Sequence, residues 1–112
     1  MRVLLRSPHV TIEQDQRDEI AASVRTALAH VESRVVSVQV LIDDSNGPKG
    51  GVDKRCECVA NCGKLGVLRV DATSADLKKA VNAAVTKLRR AAEHAVDQKR
   101  GVRKAKVSHR RA

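Results

Sequence analysis

The 112-residue chain contains no Phe, Trp or Tyr. Without aromatic faces it has no base-stacking platform for single-stranded nucleic acid and no aromatic-lined groove for proline-rich peptides. No apolar run approaches the roughly 18 residues of a membrane span. Arg6, Pro8 and His9 interrupt the short apolar start, which does not read as a secretory leader. A soluble cytoplasmic protein with no membrane partner is the expectation. Nothing marks a nucleophile elbow or a general base, and Gly47, Lys49, Gly50 and Gly51 lack the spacing of a Walker-type phosphate loop. Asp43 and Asp44 are adjacent at a strand end and point to opposite faces, which makes them poor acid–base partners. No catalytic residue, small-molecule substrate or cofactor is expected, and the chain does not read as an enzyme.

The three cysteines, Cys56, Cys58 and Cys62, follow a C-x-C-x-x-x-C pattern. Zinc sites usually use C-x-x-C pairs with further ligands at defined spacing, and no such fourth ligand is evident. An odd count argues against a disulfide framework. Small, half-buried or buried thiols are the expected role, so no metal ligand is assigned. A metal- or redox-responsive protein built on these thiols stays open as an alternative.

What is present is positive charge in one place. Residues 1–73 hold 10 Lys/Arg and 10 Asp/Glu, whereas residues 74–112 hold 12 Lys/Arg and 3 Asp/Glu. The whole excess of +9 therefore lies in the last third. Charge concentrated on one segment is the footprint expected for a polyanion partner. With 42% hydrophobic residues the chain can still fold, around a small aliphatic core. A domain of this size buries about two-thirds of its unfolded surface.

Residues 2–6 (RVLLR) read as a first strand, broken by Ser7-Pro8-His9. Thr11 followed by Gln14 fits a capping box, and Ile20, Val24, Leu28 and Val31 follow at helical spacing, placing a helix over about 12–33. Val35 to Ile42 alternates as a strand with Val36, Val38, Val40 and Ile42 on one face. Asp43 to Gly51 reads as a loop. Val52 to Ala60 reads as a third strand with Lys54, Cys56 and Cys58 on one face, and Asn61 to Lys64 as a tight turn. Leu65 to Asp71 is a fourth strand. After a Ser74 cap, Leu77, Val81, Ala84, Leu88, Ala91 and Ala95 form one apolar stripe of a second helix. Gly101 is expected to end it near residue 100.

The order β-α-β-β-β-α predicts an α+β fold. A helical crossover makes the first two strands parallel, strands two to four form an antiparallel meander, and both helices pack on one face of a four-stranded mixed sheet. Residues 1–100 form one domain, and the basic residues 101–112 are expected to be a flexible tail. Helix geometry places Lys79, Arg90, Arg100 and Lys104 opposite the second helix's stripe, with Arg89 beside them and Lys87 on the flank. Arg17 and Arg25 sit on the outer face of the first helix. Side-by-side helices would display these bases together. Without aromatics, the expected target is folded RNA, read by shape, phosphate and ribose hydroxyl contacts.

The stretch VVSVQVLIDDSNGPKGGVDKRCECV (35–59), with its NGPKGGVDKRC hairpin segment from Asn46 to Cys56, resembles short members of the ribosome hibernation family. That family includes the hibernation promoting factor and the ribosome-associated inhibitor, also called sigma-54 modulation or ribosomal subunit interface proteins. ADLKKAVNAAVTKLRR, Ala75 to Arg90, is similar to the family's second helix, with Asp76 matching its acidic start and Lys87 and Arg90 its basic pattern. The resemblance covers roughly residues 2–100. It implies a layout similar to double-stranded RNA-binding domains and a partner in the small ribosomal subunit and its ribosomal RNA. It also implies that mRNA and tRNA sites are blocked and translation inhibited under stress. By position it favours Lys87 and Arg90, then Arg17. Lys79, Arg89, Lys99 and Arg100 join them on helix geometry and charge. Two departures stand out. Lys78 lies near where the family often has an aromatic, and the chain is too short for the separate ribosome-dimerising domain of longer members. A monomer when free is expected. A generic binder of structured RNA or DNA and a protein-interaction module with an incidental basic tail are the other readings.

Overall fold

The computed structural model describes residues 1–44 and 53–108, with side chains as far as Asp97. Its elements are β1 (Arg2–Arg6), α1 (Gln14–Ala27), a 3-10 segment (Ala29–Arg34), β2 (Ser37–Asp44), β3 (Lys54–Asn61), a short 3-10 turn (Gly63–Leu65), β4 (Val67–Ser74) and α2 (Leu77–Ser108). The four strands form one sheet in the order β1-β2-β3-β4. β1 and β2 run parallel, and β2–β3 and β3–β4 are antiparallel. This is the mixed sheet read from the element order. The loop between β2 and β3, including the glycines weighed above as a phosphate loop, lies outside the described residues, as do residues 109–112.

Period-two alternation builds the sheet's inner face. Val38, Val40 and Ile42 of β2 and Cys56, Cys58 and Ala60 of β3 are fully buried. β4 adds Ala72, with Leu68 and Val70 packed against the core. The register holds these side chains in rows, with Val40 beside Cys58 and Cys58 beside Val70. α1 lays Ile20 and Val24 on this face, and Leu28 follows just past its end. α2 lays Val81, Ala84, Val85, Leu88 and Ala92 on it, mainly across β3 and β4. Each helix thus hides one aliphatic stripe, the inexpensive arrangement for two amphipathic helices on one sheet. All three cysteines are buried free thiols. The neighbouring Cys56 thiol and burial push the Cys58 thiol up, and burial pushes Cys62 up. The hydrogen bond with Cys58 shifts the Cys56 thiol the other way, downward. All three side chains sit in the core, where small thiols pack as apolar groups.

Several boundaries differ from the sequence reading. The capping interaction of α1 is two residues later than Thr11: the Glu13 N–H donates to Gln16 Oε1 at 3.0 Å. Upstream, the Ser7 hydroxyl donates to the Val10 carbonyl and closes the bend after β1. α1 stops at Ala27, and the chain tightens into the 3-10 segment, with Val31 off helical geometry at φ −129°, ψ 21°. That segment still buries Val31, and Val35, its C-cap, is buried too. Spacings of three and four residues serve a tight turn as well as an α-helix, so the apolar pattern did not mark the change. Ser74 belongs to β4 and its hydroxyl accepts from the Asp76 N–H, while the Asp76 carboxylate accepts the Lys78 N–H at 3.0 Å and opens α2. The turn after β3 uses Gly63 at φ 55° and Gly66 at φ 95°, values that L-residues with a Cβ rarely adopt. α2 continues through Gly101 to Ser108 rather than stopping near residue 100. A helix-interior glycine costs about 1 kcal/mol relative to alanine and is not in itself a stop when good helix formers flank it.

Candidate nucleic-acid interface

α2 is held to the sheet by its inner stripe, and that fixes where its bases stand. Lys79 and Arg90 lie about 20° apart around the helix axis, Lys87 about 80° to one side and Arg89 about 80° to the other. All four are exposed. Lys79 and Arg90 have no ion pair or hydrogen bond among the described residues. Lys87 leans to the β4 side, where its Nζ donates to the Asp71 carbonyl at 2.8 Å. An ammonium has three donors, so two stay available to a ligand. Arg89 leans toward α1 and pairs with Glu93, Nε to Oε2 at 3.4 Å. Lys99 and Arg100 lie on α2 past Ala92, the last buried residue among those described, and their side chains are outside the described set. Helical register turns position 99 about 200° from position 79, onto the other side of the helix.

The α1 candidates do not join this group. Arg25 Nη1 donates to the Met1 carbonyl at 3.3 Å, beside β1. Arg17 is half-buried, and neither arginine lines the hollows between the helices. Those hollows, ≈ 160 Å³ and ≈ 530 Å³, run between Gln16, Glu19, Ser23 and Thr26 of α1 and Lys78, Asn82, Thr86 and Arg89 of α2. Asp15, Asp18 and Glu19 are exposed on α1. The two helices lie side by side, but the basic surface belongs to α2 alone. Lys78 was not among the sequence candidates, although it lines the inter-helix hollow. Its signal was available: it follows the Asp76 cap on the flank of the apolar stripe.

The opposite face of the sheet, which carries no helix, holds a charge ladder that the sequence reading also missed. Arg55 pairs with Asp71 at 3.0 Å and approaches Glu57 at 3.9 Å, and Arg69 pairs with Glu57 at 3.3 Å. Charges at i and i+2 on two neighbouring strands, Arg55/Glu57 and Arg69/Asp71, are the pattern that produces it. Among the described residues no cluster of three or more His, Cys, Asp or Glu is placed to hold a metal ion. No helix among them is long and apolar enough to cross a membrane.

The chain matches the family model described as Sigma 54 modulation protein / S30EA ribosomal protein over residues 4–100. No curated protein matches its sequence. Among solved structures it is similar to a ribosomal subunit interface protein from Coxiella burnetii, with TM-score 0.62 and 14% identity, covering 80% of this chain and 91% of that one. It is also similar to the Protein Y N-terminal domain of Thermus thermophilus, with TM-score 0.59 and 23% identity, covering 80% and 93% respectively. At these identities the two structures speak for the fold.

Proposed function

The chain belongs to the Sigma 54 modulation protein / S30EA ribosomal protein family, and on that premise we propose that it is a ribosome hibernation factor. It binds the small ribosomal subunit through ribosomal RNA and occludes the sites of mRNA and tRNA. Translation stops by steric exclusion, without bond chemistry or a cofactor. The family match over residues 4–100 is the observation that carries this reading. The surface of α2 supports it. Lys79 and Arg90 have no intramolecular partner among the described residues to give up before they meet phosphate. Lys87 approaches phosphate with its two remaining donors, and Arg89 does so by leaving Glu93. Each neutralised phosphate releases counterions, so affinity falls with salt. The packed inner stripe keeps α2 rigid against the sheet, so little ordering entropy opposes docking. Arg17, Arg25 and Lys99 are secondary contacts in this proposal, and position 100, about 60° from position 79 around the axis, continues the α2 surface.

Co-sedimentation of the purified protein with ribosomes and separated subunits across a salt series tests the reading. Stoichiometric binding to the small subunit, weakened by salt and accompanied by inhibition of translation in vitro, is the expected result. Equal affinity for free RNA duplexes would instead make it a general binder of structured RNA. No binding at low salt would overturn both.

A further inference from the structure

β4 closes one side of the sheet and, among the described residues, pairs only with β3. Just before it, the Cys62 N–H donates to the Gly66 carbonyl at 2.9 Å. This bond fixes the phase of the ladder. Even-numbered β4 residues turn their N–H and C=O toward β3, and residues 67, 69, 71 and 73 turn theirs off the sheet. Lys87 agrees with that phase, since its Nζ reaches the Asp71 carbonyl from outside the sheet. Among the described residues no backbone–backbone bond occupies this free edge. The strand, VLRVDATS, has eight residues with no proline, glycine or break in register, and Val67 on it is 63% exposed. Such an edge is a template for strand addition.

We propose that this edge pairs with β4 of a second copy, antiparallel about Val70, to extend the four strands into a sheet of two copies. Charge selects the register. A two-fold axis at Val70 sets Arg69 opposite the partner's Asp71, and Asp71 opposite the partner's Arg69. Both are outward residues, so each pair exchanges two backbone hydrogen bonds. Shifting the pairing by one step in the same phase sets Arg69 against Arg69, or Asp71 against Asp71, which like-charge repulsion disfavours. Two such edges bury less than the roughly 1,200–2,000 Å² of a stable complex, and each copy carries +9. The chain is therefore monomeric when dilute, and pairing strengthens as salt screens the repulsion. Lys87 sits on a carbonyl that pairing needs, so pairing displaces it. If α2 binds RNA as proposed above, self-pairing frees the third donor of this lysine for phosphate, so the two events are linked through it. The pairing itself does not rest on that reading.

Sedimentation equilibrium of the full chain, from micromolar to millimolar concentration at low and high salt, tests the proposal. The dimer fraction should rise with concentration and with salt, the reverse of the salt effect on RNA binding. Thr73→Pro removes an N–H that points off the sheet, so the β3–β4 ladder loses nothing. It should weaken dimerisation by about tenfold or more while leaving circular dichroism and ribosome binding unchanged. Lys87→Ala, which uncovers the Asp71 carbonyl without touching the core, should strengthen it. A wild-type chain that stays monomeric at millimolar concentration in high salt would overturn the proposal. So would an association that Lys87→Ala leaves unchanged, or that a folded Thr73→Pro leaves unchanged.

Discussion

α1 and α2 lie on the same face of one sheet and bury similar aliphatic stripes, yet they show the solvent different charge. α1 exposes Asp15, Asp18 and Glu19, while one of its two arginines is turned to the Met1 carbonyl and the other is half-buried. α2 exposes Lys78, Lys79, Lys87, Arg89 and Arg90. The inner faces are interchangeable in kind and determine the fold. The outer faces are not, and in the proposed function they select the partner. The largest effect should come from an inner face. Leu28 and Leu88 are both fully buried, and truncating either to alanine should cost about 2–5 kcal/mol, read as a lower urea midpoint. Tolerance of Leu28→Ala alone would mean that the C-cap of α1 is a bystander rather than part of the core.

The outer faces come next. Lys79→Glu with Arg90→Glu alters two exposed residues that have no partner among the described residues, so the domain should stay folded. Ribosome affinity should fall about 100-fold at low salt, with a log–log salt slope shallower by about 1.4–1.8. The matching reversal on α1, Asp15→Lys with Asp18→Lys, should change affinity by less than about threefold. If both pairs mattered equally, binding would follow net charge and not the α2 surface. Lys87→Glu is a less clean probe, because it also removes the bond to Asp71.

Why the sequence disclosed one helix's surface better than the other's follows from where the side chains anchor. Alternation placed Val36, Val38, Val40 and Ile42 on one face and Lys54, Cys56 and Cys58 on another. The structure buries Val38, Val40, Ile42, Cys56 and Cys58, whereas Val36 precedes β2 and is 58% exposed and Lys54 is half-buried. The α2 stripe was legible because its apolar residues recur over five turns. It is broader than expected, since Ala80, Val85 and Ala92 are buried while Ala91 and Ala95 are half-buried. Arg17 and Arg25 were legible only as charges on a helix. That Arg25 turns to the Met1 carbonyl depends on where β1 lies, a tertiary fact. The Lys87 bond to Asp71 and the Arg55–Glu57–Arg69–Asp71 ladder likewise depend on strand register, which sequence separation of 12 to 16 residues conceals.

A smaller effect divides α2 within itself. Arg89 is paired with Glu93 whereas Arg90, one residue on, has no partner among the described residues. Exposed pairs of this kind are worth about 0–1 kcal/mol. Glu93→Gln removes the competitor and one negative charge beside the binding surface, so ribosome affinity should rise about two- to threefold. An unchanged affinity with a steeper salt slope would assign Arg89 a contact that already outcompetes Glu93.

The smallest effect separates the two helices by pH. Asp43, at the end of β2, accepts the Asp44 N–H at 2.8 Å and faces His9 Nδ1 at 3.0 Å. The Asp44 N–H first, and His9 second, hold its carboxyl below the ordinary 3.8. His9 lies in the segment that leads into α1, so the link ties that segment to the sheet and leaves α2 untouched. A carboxyl depressed in the folded state stabilises it above the unfolded value, and that contribution is lost as pH falls through the folded one. Wild type should therefore be slightly more stable than Asp43→Asn at neutral pH, and the two urea midpoints should converge below pH 3.8. Ribosome affinity at neutral pH should be the same for both. A variant that loses affinity as well would show that the approach to α1 helps to position the binding surface, and the contrast between the helices would have to be redrawn to include it.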